Sequence, residues 1–368
     1  MIVNSLRLKN FRIHKNSIFN FSEKLNFIVG GNGQGKTTIL ESIYLICTTK
    51  SFKSSSDSEL AGFESEGYEV SATVSEKTES DVKVIYLRDE KKKRYLRDSK
   101  NITRISDIIG KFPVVLLTPA DSEITHGYAT ERRRLIDSII SQSSELYFEI
   151  LMDYSKTVKQ RAALLNMIRE KRLSYLFDEL DAWDEKLVKE GMELMKYREK
   201  FLTGFNEYVT DAFRQVVELK ETPVIRYDSI YVNGYDTPEK FSELLKKNRD
   251  KEIYRGVNLY GPHRDEFLFY LNDKLLKSYG SQGQHKTFQV ALRFAQFFYL
   301  KQILNRTPVF LLDDVFGELD QNRSVKISSF LSEIGQAFIT LTDFSNYQSL
   351  VSDTGNSCFN IEEGKIRA

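Results

Sequence analysis

Gly30-Gly31-Asn32-Gly33-Gln34-Gly35-Lys36-Thr37 matches the pattern G-x-x-x-x-G-K-[ST]. Its surroundings decide whether the match means anything. Before it runs Leu25-Asn26-Phe27-Ile28-Val29, a short apolar stretch that reads as a buried strand. After it, Ile39, Leu40, Ile43 and Ile46 recur at helical spacing. Strand, glycine-rich loop and helix follow one another in the order that phosphate binding needs. The glycines let backbone N–H groups wrap an anion, and the helix start adds the positive end of its dipole. Lys36 is expected to reach the β and γ phosphates of a nucleotide, and the Thr37 hydroxyl to bind Mg²⁺. A chance glycine-rich turn is the competing reading, and the matching context argues against it.

A phosphate loop alone does not choose among kinases, GTPases and ATPases. The C-terminal third does. Pro308-Val309-Phe310-Leu311-Leu312-Asp313-Asp314 is an apolar strand ending in two carboxylates, the form of a Walker B strand. Asp313 is expected to hold Mg²⁺, directly or through water. Asp314 stands where ABC-type ATPases usually carry a glutamate, and a carboxylate there orients or deprotonates the attacking water. Aspartate is one methylene shorter, so slow hydrolysis is expected.

Upstream, Ser281-x-Gly283-Gln284 resembles the ABC signature motif and leads into an amphipathic helix marked by Phe288, Ala291, Leu292, Ala295, Phe298 and Ile303. A serine and glycine at a helix start make a second anion site, alongside the plainer reading of an ordinary helix cap. One nucleotide needs one phosphate loop. A second phosphate site therefore implies a head-to-tail dimer holding two ATP molecules between its subunits. Gly317-Glu318-Leu319-Asp320 resembles the D-loop of the same class. Gln336-Ala337-Phe338-Ile339-Thr340-Leu341-Thr342-Asp343 reads as a further buried strand. Its end, where such ATPases carry a switch histidine, holds Thr342 or Asp343 instead.

Leu6-Arg7-Leu8-Lys9-Asn10-Phe11-Arg12-Ile13-His14 resembles the opening strand of SMC-like proteins, and Arg12 by that resemblance helps bind phosphate. SMC proteins separate their two motif halves by long coiled coils. Here Lys36 and Ser281 lie 245 positions apart (281 − 36), with no sustained heptads between them. A compact relative is required, and the chain resembles the RecF family. Gly261-Pro262-His263-Arg264-Asp265, Tyr279-Gly280-Ser281-Gln282-Gly283-Gln284, Glu131-Arg132-Arg133-Arg134-Leu135-Ile136-Asp137 and the Tyr154 to Leu165 segment with Gln160-Arg161 carry the likeness. The departures are Ala120 after Pro119, Ala129 for proline, Leu135 for an aromatic and Ala162 for asparagine.

The expected fold class is α/β, an ABC-type P-loop ATPase head with mixed sheets around the P-loop helix. A mainly helical second lobe is inserted into it. The expected ATPase domain comprises 1–118 plus 256–368, with a helical lobe over 119–255. The expected nucleotide contacts are Arg12, Gly30, Asn32, Gly33, Gln34, Gly35, Lys36, Thr37 and Thr38, with Ser281, Gly283 and Gln284 reaching the partner's nucleotide. Lys36 and Asp314 are the expected catalytic residues, and Thr37 and Asp313 the Mg²⁺ ligands.

Net charge is +1, which is not the footprint of a constitutive nucleic-acid binder. Any DNA-binding surface must be local or form on assembly. The densest basic run, Lys91-Lys92-Lys93-Arg94, sits at an expected hairpin tip and is either a DNA-contacting finger or a solvated turn. No apolar run is long enough to cross a membrane and no secretory signal is evident, so a cytoplasmic setting is expected. Cys47 and Cys358 form no CxxC pair or disulfide framework.

The family resemblance implies an ATP-dependent homodimer on double-stranded and gapped DNA. It also implies a role in gap repair and the SOS response, acting with RecR and RecO to load RecA. A transporter ATPase subunit is disfavoured by the signature and the missing histidine. A nuclease is disfavoured by the lack of a separate acidic or histidine cluster, and a small-molecule kinase by the signature itself.

Overall fold

The structure, a computed structural model, describes residues 1–76, 78–171, 174–216, 221–315, 331, 334–342 and 355–367. The chain opens with strands β1 (Ile2–Phe11), β2 (His14–Asn20) and β3 (Leu25–Val29), then helix α1 (Lys36–Thr48). Strands β4 (Gly67–Ser75), β5 (Glu79–Leu87), β6 (Lys92–Arg97), β7 (Lys100–Ile102) and β8 (Val114–Leu117) follow. Helices α2 (Ser122–His126), α3 (Ala129–Ser143), α4 (Glu145–Lys171) and α5 (Phe177–Val216) come next. Then come β9 (Pro223–Asp228), α6 (Pro238–Arg255), β10 (Glu266–Leu271), β11 (Lys274–Leu275), α7 (Leu276–Tyr279) and α8 (Gln282–Leu304). The chain closes with β12 (Val309–Leu312), β13 (Ala337–Leu341), β14 (Ser357–Glu362) and β15 (Lys365–Arg367).

Two compact units result: 1–121 with 215–218 and 290–368, and 122–214 with 219–289. The first holds two six-stranded sheets, ordered β2-β1-β4-β5-β6-β7 and β15-β14-β3-β13-β12-β8. The first sheet is antiparallel throughout, and its strands alternate buried and open positions, as a half-covered antiparallel sheet should. In the second, β14, β3, β13, β12 and β8 run parallel, and β3, β13, β12 and β8 are buried at every position. Helix α1 packs against β4 and β5 of one sheet and β13 and β8 of the other. That explains its composition: Ile39, Leu40, Ile43, Leu45, Ile46 and Cys47 are all buried, so apolar residues surround the helix instead of lining one face. Burial raises the Cys47 thiol to about 12, well away from reactivity.

The second unit is mainly helical but extends further than the expected 119–255. Residues 256–289 belong to it, and the signature segment with them. The cause is a three-stranded sheet, β11-β10-β9, whose β9 lies within the stretch expected to be helical. Asn206 of α5 holds β9 by both its polar atoms: Ile225 N–H donates to Asn206 Oδ1 at 2.8 Å, and Asn206 Nδ2 donates to Ile225 O at 3.0 Å. Arg132 of α3 holds β10 through a two-pronged ion pair with Glu266, at 2.7 and 3.0 Å.

Buried arginines organise the helices. Arg161 of α4 is fully buried and donates to Asp184 Oδ1 at 2.5 Å, Glu252 Oε2 at 2.6 Å and Asn258 Oδ1 at 2.7 Å. Arg198 of α5 donates to Asp137, to the Pro262 carbonyl at 2.7 Å and to Asp265 Oδ2 at 2.7 Å. The segment 261–265 is thus a structural hub. His263 completes it: Tyr154 O–H donates to Nδ1 at 2.7 Å, and Nε2–H faces the Asn258 carbonyl at 3.3 Å. Both ring nitrogens have partners, and burial lowers the His263 pKa to about 4. Between pH 4 and 6.5 the folded ring therefore binds fewer protons than the unfolded one, and its contribution to stability rises with pH. Asp265 opposes it, because burial pushes its carboxyl up to about 6. The difference in urea midpoint between wild type and His263→Gln is expected to grow in the wild type's favour from pH 4 to 6.5. A pH-independent difference would refute this account.

Candidate nucleotide-binding site

The phosphate loop leaves β3 between two parallel neighbours, β13 and β14. Gly33 and Gly35 adopt φ of +77° and +102°, which side chains resist. A Cβ on Gly30 would strike the Ile361 carbonyl of β14, and one on Gly35 would meet His14 Nε2 and Ile13 Cδ1 at 2.8 Å. Close packing therefore requires glycine at 30 and 35, and backbone angle requires it at 33 and 35. Asn32 is exposed at the loop apex, and Thr38 is half-buried in the first turn of α1.

Lys36 is buried, and its ammonium donates to the carbonyls of Gly30 at 2.7 Å and Gly31 at 2.8 Å. Burial lowers its pKa, while Asp314 and then Asp313 draw it back up. Thr37 Oγ1 donates to Asp313 Oδ1 at 2.7 Å. The same oxygen accepts from Thr340 Oγ1 at 3.0 Å, and Asp314 N–H donates to Thr340 Oγ1 at 2.8 Å. Asp313 N–H bonds the Leu117 carbonyl at 2.9 Å, so β8 and β13 both fix the end of β12. Asp314 takes φ of +51°, a turn conformation that aspartate tolerates better than most residues. A hydroxyl beside a carboxylate is a hard-oxygen donor pair that suits Mg²⁺, which also takes ligands from substrate phosphates.

Several residues escape sequence reasoning. Thr340 lies in the middle of an apolar strand and reads there as core. His14 is fully buried, with Nε2 at 3.1 Å from the Gly35 carbonyl and Nδ1 at 3.0 Å from Ser17 Oγ. Burial lowers its pKa. Gln34 reaches the β14–β15 turn: Glu363 N–H donates to Gln34 Oε1 at 2.6 Å, and Gly364 N–H to the Gln34 carbonyl at 3.0 Å. These pairings join positions 329 and 330 residues apart (363 − 34 and 364 − 34) and leave no local pattern.

Other expected residues sit differently from their simplest reading. The Arg12 guanidinium lies two-pronged on Glu41 of α1, at 2.8 and 3.0 Å, with a third N–H toward the Glu59 carbonyl at 3.3 Å. Ser51 also donates to Glu41. In the basic run, Lys93 turns inward to the Thr49 carbonyl capping α1, at 2.7 Å, and to Asp57 at 2.8 Å. Arg94 pairs with Glu90 at 2.8 Å. Lys91 and Lys92 are exposed on the hairpin.

In the second unit, Ser281 is exposed before α8 and forms a reciprocal cap with Gln284. Gln284 N–H faces Ser281 Oγ at 3.2 Å, and Ser281 N–H donates to Gln284 Oε1 at 2.7 Å. Gln284 Nε2 also donates to Glu221 at 2.7 Å, and Gly283 is half-buried in the first turn. A Cβ on Gly280 would lie 2.6 Å from the Leu276 carbonyl, which accounts for that glycine. Thr342 directly follows β13 and is exposed. Residues 317–320 and Asp343 lie outside the described residues. Among the described residues no helix is long and apolar enough to cross a membrane.

A parallel sheet carrying strand, phosphate loop and helix, with a two-carboxylate strand behind the loop's threonine, defines a P-loop protein with the head fold of ABC-type ATPases. The chain belongs to the RecF/RecN/SMC N terminal domain family, whose model matches residues 2–355. It is 36% identical over 351 residues to the "DNA replication and repair protein RecF" of Salinibacter ruber, covering 93% of this chain and 85% of the relative. To the protein of that name in Ruminiclostridium cellulolyticum it is 35% identical over the full length of both. A solved structure described as the recombination mediator protein RecF with ATP in the RecFOR pathway superposes with a TM-score of 0.88 at 30% identity, covering 100% of this chain and 97% of that one. An SMC head bound to a winged-helix domain of ScpA matches at 0.58 and 14% identity, a likeness of fold alone.

Proposed function

We propose that the chain is an ATP-dependent DNA-binding protein of recombinational gap repair. ATP closes two copies into a clamp on DNA at single-strand gaps, and slow hydrolysis releases it. The observation that carries the reading is the Thr37–Asp313–Thr340 hydrogen-bonded set behind a loop bearing Lys36, in a chain whose relatives are named for DNA replication and repair. The loop would take ATP, and Thr37 and Asp313 are the residues that would hold Mg²⁺. When bound, the ion neutralises phosphate charge that the protein would otherwise meet with Lys36 alone. Loop N–H groups and Lys36 bind and orient the phosphates, and Asp314 orients or deprotonates the attacking water. Arg12 is proposed among the phosphate contacts by family resemblance; its guanidinium also pairs with Glu41. Lys91 and Lys92 are the hairpin cations available to DNA. RecO, RecR and RecA are the proposed partners, in the cytoplasm. Supporting this, a solved relative carries ATP and is placed in the RecFOR pathway.

Binding to gapped duplex at fixed salt tests the reading, with ATP, ADP or no nucleotide. Tight binding confined to ATP, with doubled mass by light scattering, is expected. Equal binding in all three states would leave only an SMC-like ATPase of another client. A transporter subunit finds no observation in its favour.

Ser281→Ala separates the two roles of the signature. It is expected to leave ATP binding by the monomer intact and to abolish ATP-driven dimerisation. Normal dimerisation of this variant would remove the trans contact from the proposal.

A further inference from the structure

A glycine-rich loop binds anions only when its peptide planes face the right way. Gly30, Gly31, Gly33 and Gly35 leave four of the loop's positions without a side chain to hold them. Ordering such a loop on binding costs entropy, and a loop already ordered binds more tightly. The peptide bond is planar and trans, so holding a carbonyl on one side aims the next N–H to the other.

Both carbonyls at the end of this loop are held from outside. The Gln34 carbonyl accepts the Gly364 N–H at 3.0 Å, which turns the Gly35 N–H the opposite way. The Gly35 carbonyl lies 3.1 Å from His14 Nε2, which does the same for the Lys36 N–H. The Gln34 side chain then fastens the hairpin itself, accepting the Glu363 N–H at 2.6 Å. Glu363 and Gly364 have φ of +48° and +72°, the two positive angles of a tight hairpin turn. That turn directs two successive N–H groups at one residue. The hairpin is locked in its turn by Ser17, whose Oγ donates to the Gly364 carbonyl at 2.8 Å. No space is left over: a Cβ on Gly364 would lie 2.8 Å from the Ile13 carbonyl.

We propose that Gln34 is a positioning residue for nucleotide, and that it acts through the C-terminal β14–β15 turn, which sets the loop's N–H groups before ATP arrives. The proposal rests on the reading of the loop as an ATP site. It assigns a role in nucleotide affinity to residues 363 and 364, far from the motif in sequence, and turns the Gln34 side chain away from the phosphates.

The test measures the dissociation constant of a fluorescent ATP analogue on the full chain, with thermal midpoints recorded alongside. Binding by the wild type establishes the ATP reading itself, and its failure would overturn that reading and this proposal together. Gln34→Ala is expected to weaken binding by about 3- to 10-fold with an unchanged midpoint, the loss of one hydrogen bond from a preorganised site. Gln34→Glu keeps the acceptor and is expected to restore affinity to within about 3-fold of wild type. A side chain that touched phosphate would give the opposite order, with the carboxylate weaker than alanine, and that result would overturn the proposal. So would unchanged affinity in Gln34→Ala. If Gln34→Ala fails to fold, Ser17→Ala, which frees the turn from the other side, answers by the same criterion: weaker binding supports the brace and unchanged binding refutes it.

Discussion

Replacing Lys36 with alanine is expected to weaken ATP binding by about 100- to 1000-fold, the cost of removing one partner of a desolvated charge pair. The magnitude follows from the lysine's surroundings. The ammonium is buried, so its attraction to phosphate is little screened. It is already seated by two loop carbonyls at 2.7 and 2.8 Å, so little ordering remains to be done on binding. Its removal also leaves the Gly30 and Gly31 carbonyls without their donor. Titration calorimetry with ATP measures the effect, with circular dichroism to confirm the fold. An affinity within about threefold of wild type would mean that the loop does not bind the triphosphate as argued. Without nucleotide the dimer should not close, so DNA binding should fail in the same variant.

The second large effect concerns stability. Arg161→Ala is expected to destabilise the protein by about 3 to 5 kcal/mol, because it strands buried carboxylates without their counter-ion. Glu252 is fully buried and Asp184 nearly so. Asp184 retains Arg249 at 2.8 Å and Glu252 retains the Leu259 N–H at 2.7 Å, which keeps the loss within that range. The thermal midpoint should fall by roughly 10 °C at 2 to 4 °C per kcal/mol. Arg161→Met fills some of the volume and should recover only a part, since the stranded charges remain. A midpoint within about 2 °C of wild type would show that the trio is solvated enough to do without the arginine. The arginine belongs to the stretch that resembles a family helix, and its chemistry here is architectural.

Much of the nucleotide site can be read from the sequence because its parts are local. Strand, loop and helix are contiguous at 25–48, and Asp313 and Asp314 end an apolar run that announces itself. The sites that stay hidden are made by distant pairing. Thr340 looks like core until β13 is placed beside β12, where its hydroxyl meets Asp313. The partners of Gln34 on the β14–β15 turn come within reach only once β14 is placed beside β3. β9 lies within the stretch read as helical, and it is placed there by pairing with β10 and by Asn206. Lys93 shows the converse error. A run of four basic residues suggests one exposed surface, yet alternation along β6 turns Lys93 inward to cap α1.

The strand that delivers the phosphate loop has consequences during synthesis. Leu25–Val29 is buried at all five positions, yet both of its sheet neighbours, β13 and β14, come from the last 32 residues of the chain. At about 5 to 20 residues per second, the ribosome needs roughly 15 to 70 seconds to make the intervening segment. Throughout that time a strand that ends up buried at every position waits without its partners. A chain that stops early cannot complete the loop, however intact its motif. Messages cut short within the final tenth should therefore yield protein that is captured by holding chaperones and cleared, and no half-active fragment should accumulate.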